Sequence, residues 1–197
     1  MNQEILQKNF AKHGFETSFF ETKEEAVAYL VEKIQGRTVG FGGSITVREM
    51  ELYDALAKNN ICAWHHRIPG DETRHLAAKT RIYITSANAV SETGEIVNID
   101  GTGNRVAMTI YGPEKCYYVV GRNKIMPDRA SAIDRAKNVA APKNAKRFNV
   151  KTPCAIKADR CYDCDSPDRI CRATVILDRV PNQTPSELVF INEDLGY

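Results

Sequence analysis

The chain is 197 residues long, 43% of them hydrophobic and 26% charged, with a formal net charge of +2. That composition excludes intrinsic disorder and leaves enough chain to bury a core without help from metal or disulfides. The small net charge gives no nucleic-acid footprint, and no apolar run approaches the roughly 18 residues of a membrane-spanning helix. The opening segment, MNQEILQKNFAKHGF, carries acids and amides where a secretory leader needs a long apolar stretch. A cytoplasmic, reducing setting is therefore expected.

Taken in chain order, the first 37 residues read as helical. Thr22 and Glu25 form a capping box ahead of an apolar stripe of Val27, Leu30, Val31 and Ile34. A short buried strand then runs from Thr38 into the glycine turn Gly42-Gly43-Ser44. The next amphipathic helix carries Val47, Met50, Tyr53, Leu56 and Ala57 on one side. Ser44 and Thr46 both suit its cap, and Glu49 three residues on favours Thr46. Ile61–Trp64 reads as a strand, Asp71–Lys79 as a short helix and Arg81–Thr85 as a strand. Ile96–Ile99 and Tyr117–Val120 are further strands, and Pro127–Ala140 is a helix with proline near its start. Strands near Val175–Leu177 and Leu188–Ile191 close the chain. Strands alternating with helices across short loops predict an α/β fold, a mainly parallel sheet flanked by helices. With no repeat or linker in sight, residues 1–197 read as one domain. It has a helical segment over 1–37 and a cysteine-rich appendage over 150–175.

That appendage holds four of the six cysteines: Cys154, Cys161, Cys164 and Cys171, spaced C-x6-C-x2-C-x6-C. In a reducing compartment such a cluster points to a metal or a redox group rather than to a static disulfide framework. Cys161-x-x-Cys164 is the strongest part, because two ligands three apart fit one turn around a metal. The outer spacings match neither a zinc finger nor a ferredoxin run, so iron–sulfur and zinc both stay open. Cys62 and Cys116 sit in or beside apolar strands and read as core residues. Eight basic residues and one acid between Arg135 and Arg160 make a basic stretch that could meet an anionic ligand or an acidic redox partner.

Three loops carry candidate ligand-binding residues. Gly42, Gly43 and Ser44 join a strand to a helix, the geometry in which backbone N–H groups face an anion, although the segment is neither a Walker A loop nor a GxGxxG fingerprint. Thr85, Ser86 and Asn88 lie just beyond a predicted strand end, where open α/β sheets place their ligands. Asp100, Gly101, Gly103, Asn104 and Arg105 form a polar loop in which the Arg105 fork is the natural clamp for a carboxylate or phosphate. Each group has a bland reading as well: positive-φ turns, local turn hydrogen bonds, a surface salt bridge. The pair His65-His66, with His75 nearby, lacks the usual metal spacings and reads as polar loop residues.

Together GFGGSITVREM, ITSANAVSETGEIVNIDGTGNRVAMTIYGPEKCYYVVGRNKI, RAKNVAAPKNAKR, KTPCA, CYDCDSPDRIC and INEDLGY closely resemble small LUD-domain proteins. These are relatives of the lactate-utilization proteins that give the domain its name. The resemblance runs from about residue 38 to Tyr197. It implies a fold like that of ribose-phosphate isomerase, glucosamine-phosphate deaminase and the coenzyme A transferases. SANAVSETGEIVNIDGT is also similar to a stretch of the methylthioribose-phosphate isomerases, but Asn88 stands where those enzymes have a catalytic Asp. A neutral amide cannot serve as a carboxylate base, which argues against that isomerase chemistry. Glu92-Thr93-Gly94 is similar to the glutamate-bearing loop of coenzyme A transferases, yet its neighbours differ and no catalytic glutamate is carried over.

For function, the resemblance implies a redox-coupled accessory or subunit in the oxidation of L-lactate to pyruvate, working beside an iron–sulfur or oxidoreductase partner. The chain has no flavin or nicotinamide fingerprint and so no hydride acceptor of its own. On this reading a small carboxylate or phosphate lies between the Gly42-Gly43-Ser44 turn and the Asp100–Arg105 loop. Arg105 holds its carboxylate, Asn88 and Asn104 donate to it, and an iron–sulfur cluster sits on the four cysteines. Two alternatives stand beside it: a non-catalytic small-molecule binding module with structural zinc, and a transferase- or isomerase-like enzyme acting on phosphates or thioesters. Assembly into a homo-oligomer is compatible with all three.

Overall fold

The computed structural model describes residues 1–157 and 159–197. Ala158, inside the cysteine-rich stretch, lies outside the described residues. In chain order the strands are β1 (Glu16–Phe20), β2 (Thr38–Phe41), β3 (Ile61–Ala63), β4 (Ile82–Thr85) and β5 (Ala89–Ser91). They continue as β6 (Ile96–Asp100), β7 (Lys115–Gly121), β8 (Ile125–Met126), β9 (Ala173–Leu177) and β10 (Ser186–Ile191). The helices are α1 (Gln3–Lys12), α2 (Lys23–Lys33), α3 (Ile45–Glu49), α4 (Leu52–Leu56), α5 (Asp71–Ala77) and α6 (Asn104–Ile110). Then come α7 (Arg129–Arg135), α8 (Ala141–Phe148) and α9 (Pro153–Lys157), with a π-helical turn, Ala136–Ala140, joining α7 to α8.

Six strands form one parallel sheet in the order β1-β10-β7-β4-β2-β3. The central strands β4, β7 and β10 are short apolar runs buried along nearly their whole length, which is what a sheet covered on both faces requires. Alternation sorts their side chains. Val119, Val189 and Ile191 face α2, α3 and α4 through Ala26, Leu30, Val47 and Leu56. Tyr118, Val120, Leu188 and Phe190 face α1 through Leu6 and Phe10. The strands β8-β5-β6-β9 form a second, four-stranded sheet whose outer face packs Ala89, Val97 and Ile99 on Ala132 and Ala136 of the α7 segment. The predicted α/β fold with a parallel sheet flanked by helices is what the chain forms.

Four local expectations give way, the first being one helix through Val47 and Ala57: α3 ends at Glu49 and α4 starts at Leu52, with Glu51 at φ +53° between them. The N-terminal segment is not helical throughout, because β1 separates α1 from α2 and pairs parallel with β10 from Glu16↔Glu187 to Phe20↔Ile191. Phe19 stacks on Phe190 with ring centroids 5.3 Å apart, a partner that local pattern cannot reveal. The cap of α3 is Ser44, not Thr46: its hydroxyl accepts from Val47 N at 3.1 Å. Finally, Asn104 and Arg105 belong to a helix rather than to a loop, since α6 starts at Asn104 directly after Gly103 at φ +88°. The Thr22–Glu25 capping box forms as expected. Among the described residues no helix is long and apolar enough to cross a membrane.

Candidate functional site

The sheet itself places the site. From β2 the chain steps one way to β3, then crosses back past β2 to β4, so the strand order reverses between β2 and β4. Outside the carboxyl ends of such a pair the loops diverge and leave a crevice. Here those ends are Gly42-Gly43-Ser44 after β2 and Ser86-Ala87-Asn88 after β4. The end of β6 and the single 3₁₀ turn Arg122–Lys124 after β7 add further walls. Together they bound a cavity of about 610 Å³.

Of the predicted ligand residues, Gly43, Ser44, Ser86, Asn88, Asp100, Gly101, Asn104 and Arg105 line this cavity. Gly42, Thr85 and Gly103 do not, though each supports it. Gly42 donates its N–H to Ile84 O at 2.9 Å and accepts from Trp64 Nε1 at 3.0 Å. A Cβ at Gly42 would come within 2.8 Å of both Arg105 Cγ and Thr85 Oγ1, so only glycine lets the Arg105 stem lie across the turn. Thr85 is wholly buried. The Gly103 N–H donates to Asp100 Oδ1 at 2.7 Å and shapes the entry to α6.

Arg105 lines the cavity, but its fork is already occupied. Nε faces Asp100 Oδ2 at 3.3 Å, Nη1 donates to Ser86 O and Asn98 Oδ1, and Nη2 donates to Asn88 Oδ1 and Ile99 O. Of a guanidinium's five N–H donors, the four on Nη1 and Nη2 have protein acceptors here, and Nε lies against the Asp100 carboxylate. The expected clamp is instead a strut tying the ends of β4 and β6 to α6. Asn88 takes part in the same lattice, its Oδ1 accepting from Ile99 N at 2.7 Å. The buried Asp100 carboxylate is the counter-ion of Arg105.

Lys124 and Arg74, which the sequence did not single out, line the cavity together with Arg147 of the basic stretch and the His65-His66 pair. Lys124 is 4% exposed and donates to Thr46 Oγ1 (2.8 Å), Ser86 Oγ (3.0 Å) and Ala87 O (3.2 Å). Burial, with Arg135 and Arg105 close by, pulls its pKa down from 10.5 to about 7. His66 falls from 6.5 to about 4, through burial and then the cations His65, Arg147, Arg48 and Arg74. The Nε2 atoms of His65 and His66 both approach Gly43. Applying the strand-end rule to β7 as well as to β2 and β4 would have found Lys124. Arg147 was legible only as one of the eight bases of the 135–160 stretch, and α8 carries it to the cavity.

The four cysteines of the appendage also converge. Cys154, Cys161, Cys164 and Cys171 line one small apolar cavity together with Lys137, Pro142 and Arg169. Sulfur acceptors are in use: Asp163 N donates to Cys161 Sγ and Arg169 Nη2 to Cys171 Sγ, both at 3.4 Å. Cys161 N is anchored on Asn138 Oδ1 at 3.0 Å, from the π-helical turn. The cavity that the cysteines line is small, about 10 Å³. Among the described residues no three His, Cys, Asp or Glu side chains are gathered as a cation site. Ala141 and Ile170 line both this cavity and the cationic crevice, so the two share a wall. Cys116 is buried and Cys62 half-buried, as expected of core thiols.

A family model described as the LUD domain matches residues 3–191. Among solved structures, the fold is similar to the crystal structure of a DUF162 family protein from Deinococcus radiodurans, with a TM-score of 0.56 and 10% sequence identity. That alignment covers 95% of this chain and 94% of the other, and at such identity it speaks for the fold alone. No curated protein matches the sequence.

Proposed function

Because the chain belongs to the LUD-domain family, we propose that its cationic crevice is the organic-acid site of a redox-linked accessory or subunit in lactate utilization. The observation that carries this reading is the shared wall: Ala141 and Ile170 line both the basic-lined cavity and the four-cysteine pocket. The family supplies the metabolic setting, and the chain's own residues supply the means of binding. Arg147 keeps Nη1 free of any hydrogen bond among the described residues, so it can meet a carboxylate directly, beside the His65 and His66 rings. Lys124 and the Arg105–Asp100 pair set the field deeper in. Asn88 keeps its amide N–H groups for a ligand oxygen while its Oδ1 stays in the framework.

Cys154, Cys161, Cys164 and Cys171 are the residues that would hold a metal group. A bound iron–sulfur cluster would supply one-electron transfer toward a partner oxidoreductase. The same four thiols support a second reading, in which they hold one structural zinc that stiffens the cavity wall. Protein purified without oxygen and analysed for iron, zinc and acid-labile sulfide distinguishes them. Iron with sulfide and broad visible absorption supports the redox role. One equivalent of zinc in colourless protein makes the segment structural. Protein with neither metal, and no gain of stability on adding either, would sink the metal site.

A further inference from the structure

We propose that the occupant of the crevice is a small dianion, a dicarboxylate or a phosphate monoester, selected over a monoanion such as lactate by two basic side chains without carboxylate partners, Lys124 and Arg147. The inference rests on the reading that this cavity is the ligand site; it changes the charge of the ligand, not the place.

Four basic side chains line the cavity, Arg74, Arg105, Lys124 and Arg147, against one carboxylate side chain, Asp100, and Tyr197, which acts against burial to raise the pKa of Arg147. Asp100 pairs with Arg105, and Arg74 pairs with Asp71. Among the described residues, no carboxylate side chain forms an ion pair with Lys124 or Arg147. Lys124 is almost wholly buried yet meets only neutral oxygens, from Thr46, Ser86 and Ala87. A buried charge is normally paired, because taking it out of water is costly without a counter-ion. The charged groups around it are Arg135 from α7, Arg105 from α6 and Glu49 from α3, two cations to one acid. The Glu49 carboxylate is engaged with Gly196 N at 2.7 Å.

Arg147 rests over the Phe148 ring at 4.0 Å and bonds only the neutral Asn144 side chain. Arg147, Arg48 and Arg74 all act to disfavour the charged form of His66. A monoanion can answer only one of the two unpaired basic groups, whereas a dianion can answer Arg147 and also hold a proton on Lys124. Size agrees. Lactate has six heavy atoms, and even at a water's share of about 30 Å³ for each it would fill less than a third of the cavity.

The test is titration calorimetry on the full chain with L-lactate, L-malate and glycerol 3-phosphate at one ionic strength. At least one dianion should bind about tenfold or more tightly than lactate, and whichever wins tells carboxylate from phosphate. Arg147→Gln should abolish that advantage, while Lys58→Gln, at the opposite end of the sheet, should leave it intact. An anion near Lys124 raises its affinity for a proton, so binding at pH 7.5 should take up a fraction of a proton. That uptake, read from heats in buffers of different ionisation enthalpy, should vanish in Lys124→Met. Should that variant fail to fold, Arg147→Gln alone decides. Lactate binding as tightly as both dianions overturns the proposal and leaves the organic-acid site standing. So does a dianion preference that survives Arg147→Gln. Absence of heat with all three anions overturns both.

Discussion

Arg105 shows how much a residue's role depends on what its donors already hold. Read from the chain, a guanidinium in an Asp-Gly-Thr-Gly-Asn-Arg loop is an anion clamp; in the fold it closes five contacts within the protein. Removing it would strand the buried Asp100 carboxylate and take a donor from Asn98 Oδ1, Asn88 Oδ1 and the Ile99 carbonyl. Arg105→Ala should therefore cost about 3 kcal/mol or more, and lower Tm by roughly 10 °C, the range for breaking a buried ion pair in a chain of this size. Thermal unfolding checks this. A Tm within about 2 °C of wild type would return Arg105 to the role of a free clamp.

Among the elements, α3 is short enough that its cap matters. Ser44 stands in extended backbone, φ −151°, and satisfies the Val47 N–H, one of the donors that a helix start leaves open. Thr46 is drawn away: its hydroxyl donates to Leu195 O at 3.3 Å and accepts from Lys124. The Thr46–Glu49 spacing was a legible capping signal that tertiary contacts overrode. Ser44→Ala should cost about 1 kcal/mol by chemical denaturation. Thr46→Ala should act instead through Lys124, shifting the pH at which that amine titrates in the folded chain. Loss of helical signal in Thr46→Ala with none in Ser44→Ala would reverse the assignment.

Across the whole molecule, buried bases without acid partners set the response to pH. Between its ordinary pKa of 10.5 and its folded value of about 7, Lys124 is protonated in the unfolded chain and neutral in the native one. The unfolded state then binds the extra proton, so ligand-free stability rises with pH from about 7 upward. His66 repeats the pattern lower down, and stability falls as pH drops from 6.5 toward about 4. The thiols of Cys62 and Cys116, pushed up by burial to about 11 and about 12, reverse the slope above their ordinary 9.0. Tm should thus peak between about pH 8 and 9, after a rise from neutrality worth at most about 1.4 kcal/mol per pH unit. Lys124→Met should flatten that rise. An unchanged slope in the variant would mean that Lys124 stays charged in the folded protein.

How much of the molecule was legible in its chain depends on the range of the forces involved. Hydrophobic period, turn chemistry and capping are local, so β4, β7, β10, α2 and the α/β class could be read from the residues themselves. The glycine turn after β2 and the polar stretch after β4 were legible as candidate walls, because strand ends in a parallel sheet point to one side. The edge strand β1 was not, since its partner β10 lies at the far end of the chain. Nor was the exchange of roles at the site, in which Arg105 becomes a strut while Lys124 and Arg147 stand unpaired. The sequence by itself determined which side chains and backbone turns are present. Only the tertiary structure decided which charges meet a counter-charge and which are left facing the cavity, because pairing and desolvation depend on distances that folding alone creates.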